Sequence, residues 1–113
     1  MSVVGLDFGS VNSVVALARR KGIDVVLNTE SKRETPSMVN FGDKQRYIGC
    51  AAADKINMQP KNTIVQLKRL IGLRFSDPEV QALVPDLLFP IAAGANDEIL
   101  ITVNYLNEQK TFT

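Results

Sequence analysis

The chain has 113 residues, 45% of them hydrophobic and 22% charged, which is one domain's worth of globular composition with enough apolar material for a core. Its 13 basic and 12 acidic residues are mixed along the chain to a net charge of +1, so no basic footprint for nucleic acid or for an acidic membrane surface is present. Histidine is absent and Cys50 is the single cysteine, which excludes an internal disulfide, the usual zinc sites and any Ser/His or Cys/His nucleophile. No apolar run approaches the roughly 20 residues that span a bilayer, and the first residues lack a basic segment followed by an apolar signal core. The expectation is a soluble cytosolic or nuclear protein without a membrane or nucleic-acid partner.

The first elements carry the most chemistry. Residues 3–16 read as an apolar strand, a tight turn built on Asp7-Phe8-Gly9, and a second apolar strand. Gly9 can take a positive φ or let a ligand approach the backbone, and successive N–H groups of such a turn can form an anion-binding concavity. Asp7 places a carboxylate at the end of an apolar strand, where a hard cation would find an oxygen ligand, directly or through water. The plain alternative is a hairpin whose Asp7 hydrogen-bonds its own turn. The sequence leaves both open.

Residues 13–19 continue the second strand, with Val14, Val15, Ala16 and Leu17 nearly continuous, as in a strand buried on both faces. A polar turn at 19–22 leads to a third strand over 23–28. Three such strands call for helices across their faces, and none is read in the first fifty residues. After Pro36, residues 37–41 and 46–49 form a hairpin, and 50–58 a short alanine-rich helix ending before Pro60, with Cys50 a small buried hydrophobe. A helix is predicted over 62–72, capped by Asn62 and stopped at Gly72, with Ile64, Leu67 and Ile71 as its apolar stripe. Lys68 falls on that stripe, where its ammonium must either snorkel to water or meet an anion. Ser76-Asp77-Pro78-Glu79 reads as a capping box before a short helix through Val80, Leu83 and Val84. From Phe89 onward the pattern is of strands joined by hairpins.

Residues 4–13, the Glu34-Thr35-Pro36-Ser37 segment and residues 61–72 together resemble the start of the heat shock protein 70 superfamily, and the resemblance covers essentially every residue. Residues 20–28 and 41–49 are more similar to its large, 110-kDa branch. The resemblance implies an α/β fold, the partial N-terminal lobe of an actin-like (ribonuclease H-like) ATPase. That lobe would hold a three-stranded β meander plus a peripheral subdomain of short helices and antiparallel strands, divided at 1–35 and 36–113. It implies ATP or ADP with Mg²⁺ as ligand. Asp7 would hold the metal through water, the turn of Gly9, Ser10, Val11 and Asn12 would wrap the phosphates, and Lys68 would reach the γ-phosphate and position attacking water, so that Asp7 and Lys68 are the catalytic pair.

Two departures bear on function. The main chaperone branch carries two threonines after the turn glycine, where this chain has Ser10 and Val11, so one hydroxyl is replaced by a methyl and efficient hydrolysis is disfavoured. The chain also stops before the family's second phosphate loop, adenosine segment, second lobe and client-binding region, which leaves ATPase activity of the chain open. The implied parent is a co-chaperone that binds ATP, promotes ADP release from a main-branch partner and holds unfolded clients. The alternatives are an ATP-hydrolysing foldase, or a truncated product without nucleotide binding whose first strands expose apolar faces. A sugar kinase or actin relative shares the Asp-x-Gly hairpin but not the later segments.

Overall fold

In this computed structural model, which describes residues 2–113, ten strands form three antiparallel sheets with little helix between them. The first sheet joins β1 (Val3–Phe8), β2 (Asn12–Arg19) and β3 (Gly22–Val25) in sequence order, and the two-residue β4 (Thr35–Pro36) pairs with the start of β2. The β1–β2 register runs from Val3 opposite Ala18 to Phe8 opposite Ser13, so the hairpin closes on the four residues between. Asn28 organises the following loop: its Oδ1 accepts from the N–H groups of Glu30 and Lys32, and its amide donates to Thr35 Oγ1 at 3.0 Å.

The second sheet has the order β6 (Arg46–Ile48), β5 (Met38–Phe41), β7 (Thr63–Val65), with α1 (Cys50–Ala53) following β6. The third is β8 (Ile91–Ala93), β9 (Ile99–Tyr105) and β10 (Glu108–Phe112), preceded by α2 (Pro78–Leu83). Ile64, Leu70, Val80, Leu83, Phe89 and Val103 form the buried cluster, and each such side chain contributes about 1.5–3 kcal/mol of transfer free energy. All six lie beyond residue 60. The first sheet takes no part, and the radius of gyration of 16.5 Å exceeds the ~13 Å of a compact chain this long.

Three expectations need correction. The predicted helix over 62–72 does not form. Pro60–Asn62 is a 3₁₀ turn, Thr63–Val65 is a strand, and Leu67–Arg69 is a second 3₁₀ turn. Three β-branched residues in a row favour extended backbone, β5 supplies the ladder, and Gln66 at φ 54 stops any helix from propagating. The stripe therefore dissolves: Ile64 is buried, whereas Leu67 is 41% and Ile71 62% exposed. Asn62 instead accepts the Asn104 N–H through its side chain, while Gly72 does take the left-handed φ of 81 expected of a stop.

The capping box also fails. Asp77 is the N-cap of α2, its carboxylate accepts the Arg74 N–H, and the Ser76 hydroxyl turns to Asp97. Finally, β2, whose apolar run reads as buried on both faces, is only half-buried, while β1 is exposed along its whole length, with Leu6 at 77%, as expected of strands with no helix read across them. The alanine-rich helix is present but short, with Cys50 and Ala52 buried.

Candidate phosphate-binding turn

The bend between β1 and β2 is closed by the backbone alone: the Gly9 N–H donates to the Asn12 carbonyl at 3.0 Å. Gly9 is required here by proximity rather than by a positive φ, since a Cβ on it would clash with that same carbonyl oxygen. The Val11 carbonyl accepts the Ser37 N–H at 2.8 Å. Among the described residues the N–H groups of Ser10 and Val11 have no hydrogen-bond partner, so two adjacent donors stay free for an anion. Ser10 is half-buried with its hydroxyl beside them, whereas Val11 projects outward and is 63% exposed.

Lys68 arrives from 60 residues away and donates from Nζ to the Phe8 carbonyl at 2.6 Å. Its ammonium also stands 6.0 Å from the centre of the Phe8 ring. The 3₁₀ turn Leu67–Arg69, launched by the left-handed Gln66, is what turns this side chain toward the hairpin. Lys68 is not on an apolar helix face as the stripe implied; its ammonium is exposed and its protein partner is the last carbonyl of β1. The positive charge is thereby tied to the residue that leads into the turn. Phe8, Gly9, Ser10 and Lys68 share one cleft of about 1010 Å³, walled mainly by apolar side chains.

Asp7 is held differently. Its neighbour across the ladder is Val14, its side chain leaves β1 on the face opposite Phe8, and it is absent from the lining of the cleft that Lys68 enters. Among the described residues it makes no hydrogen bond and no ion pair, the one ion pair being Arg19 to Asp24 at 3.8 Å. The reading in which Asp7 braces its own turn is therefore not what the structure contains. No group of three or more acidic or cysteine ligands exists among the described residues, so a divalent cation would take most of its ligands from phosphate and water, with the Asp7 carboxylate as an outer partner. The turn and Lys68 fit a phosphate, with free donors and a cation at the end of β1, whereas the Asp7 carboxylate lies outside that cleft and could serve a metal only from its edge.

Two hydroxyls escaped sequence reading. Ser13, opposite Phe8, and Ser37, just after β4, bring their Oγ atoms to 2.7 Å in the wall of the same cleft. Serine residues separated by 24 positions have no spacing that announces the pair.

Fold and site together define an antiparallel β protein with a candidate anion-binding hairpin. The profile of the HSP70 family, described as Hsp70 protein, matches residues 3–113, and the chain belongs to that family. It is 58% identical over 113 residues to heat shock 70 kDa protein 14 of Arabidopsis thaliana, covering all of this chain and 14% of that relative. Over the same length it is 42% identical to heat shock protein 110 of Caenorhabditis elegans and 44% to heat shock protein hsp88 of Neurospora crassa, again over the whole chain and 15% and 16% of those relatives. The chain is thus an HSP110-like N-terminal segment spanning about a seventh of the length of the curated relatives it matches. Family membership makes the chain an N-terminal part of the family's actin-like fold. No helix is long and apolar enough to cross a membrane among the described residues.

Proposed function

We propose that this chain forms the phosphate-facing hairpin and the peripheral subdomain of the nucleotide-binding domain of an HSP110-like chaperone. The longer protein binds ATP or ADP with Mg²⁺, promotes ADP release from a main-branch Hsp70 partner and holds unfolded clients. The observation that carries this reading is the Lys68 ammonium fixed at 2.6 Å on the Phe8 carbonyl, directly beside a turn with two free amide donors. In it, the N–H groups of Ser10 and Val11, the Ser10 hydroxyl and the Asn12 side-chain NH₂ donate to phosphate oxygens. Lys68 offsets their charge and would orient a water at the terminal phosphate, and Asp7 holds a water of the metal shell.

Val11 supports exchange and holding over turnover, because it offers methyl groups where the main branch has a second hydroxyl. The retained Ser10 hydroxyl and Lys68 ammonium in one cleft favour the second reading, an ATP-hydrolysing foldase. The test is a chimera in which this chain replaces the matching segment of the Arabidopsis relative. It should bind MgATP and accelerate ADP release from a main-branch Hsp70, and Lys68→Met or Asp7→Asn should weaken binding at least about tenfold, equivalent to ~1.4 kcal/mol. Turnover without accelerated release would favour the foldase, and binding indifferent to both substitutions would overturn the site.

A further inference from the structure

The turn Gly9–Asn12 is gripped from both sides by residues that come after it in the chain. On the β1 side Lys68 holds the Phe8 carbonyl. On the β2 side the contacts converge on Ser37: its N–H holds the Val11 carbonyl at 2.8 Å, and its hydroxyl meets the Ser13 hydroxyl at 2.7 Å. Between them Asn12 faces Pro36, which has no N–H to give to the ladder. A proline at that rung leaves Ser37 as the donor that ties the short strand to the turn. A trans peptide is planar, so fixing the Val11 carbonyl also fixes the direction of the Asn12 N–H and limits how the turn can rotate. Ser13, held by the second bond, stands opposite Phe8 at the base of the hairpin.

We infer that Ser37 is a positioning residue for the phosphate turn, fixing the Val11–Asn12 peptide through the Val11 carbonyl and limiting, with Ser13, how the turn that carries the free amides of Ser10 and Val11 can rotate. This rests on the reading of the turn as a phosphate site. The two halves of the grip come from different parts of the peripheral chain, Ser37 from beside β4 and Lys68 from the turn after β7. The position of the peripheral sheets is thereby coupled to the geometry of the turn.

Ser37→Ala keeps the backbone donor and removes only the hydroxyl, and Ser13→Ala removes the same bond from the other side. In the ¹⁵N-labelled full chain without ligand, each substitution should lower the heteronuclear order of Ser10, Val11 and Asn12 and leave the amide protection of Ile64 and Val103 unchanged. In a MgADP titration each should weaken the response by about three- to tenfold, the scale of one hydrogen bond. The double variant should be no weaker than either single one, and Ser37→Thr should restore both readouts. A turn equally ordered after Ser37→Ala, or additive losses in the double variant, would overturn the proposal. Should Ser37→Ala fail to fold, Ser13→Ala carries the same comparison alone. If order falls as expected but the unsubstituted chain shows no MgADP response, the tie stands and only the phosphate reading fails.

Discussion

At Gly9 a methyl group would have nowhere to go: it would press against a backbone carbonyl, which cannot swing aside as a side chain could. Gly9→Ala should therefore open the turn, lowering stability by about 1–3 kcal/mol in urea unfolding and abolishing any MgADP response. Retention of both would mean that the hairpin tolerates a wider bend than its 3.0 Å closing bond indicates. Asp7 and Lys68 stand out in the sequence because a carboxylate closing an apolar strand and an ammonium amid apolar neighbours conflict with the simplest local structure, and Gly9 because the bend needs it; the structure brings Gly9 and Lys68 to one cleft and leaves Asp7 out of its lining. The reasons were only partly right. Gly9 serves close approach and not a left-handed φ, and Lys68 reaches the hairpin from a 3₁₀ turn rather than a helix stripe. Ser13 and Ser37 conflict with nothing locally, so their meeting emerges only in three dimensions.

Residues 62–72 show where local pattern and tertiary pairing part. Ile64, Leu67 and Ile71 satisfy a helical period, yet Thr63, Ile64 and Val65 find a better partner in β5, with Val39 opposite Ile64. The left-handed Gln66 then sets the angle at which Lys68 leaves the sheet. A β-branched residue is poorly accommodated there, so Gln66→Val should cost about 1–2 kcal/mol in a denaturation midpoint and detach Lys68 from Phe8. An unchanged midpoint would show that this corner is not strained. The strands at 3–8, 12–19, 38–41, 46–48 and 99–105 were readable because short apolar runs end at clear turns, whereas β4 is two residues long and β7 hides inside a helical period.

For the molecule as a whole, the hydrophobic cluster takes nothing from the first sheet, although its Ile64 and Leu70 line the cleft that holds the candidate site. The cluster gathers residues beyond 60, while the hairpin that carries the turn leaves Leu6, Phe8 and Val3 exposed. The turn is tied to the rest of the chain by the short β2–β4 pairing and by polar contacts, Lys68 to Phe8 and Ser37 to Val11 and Ser13. The strand that reads as buried on both faces in sequence, β2, is only half-buried here, and β1 beside it stands open. With two amides and one ammonium as its donors, the chain should bind nucleotide at millimolar strength, about 4 kcal/mol, and not at the micromolar strength of a complete cleft. The decisive measurement is a MgADP titration of the ¹⁵N-labelled chain followed at each amide. Shifts confined to Gly9, Ser10, Val11, Asn12 and Lys68, lost with Lys68→Met and made independent of Mg²⁺ by Asp7→Asn, are the predicted result; a silent turn, or shifts elsewhere that survive both substitutions, would contradict the assignment of this hairpin to phosphate.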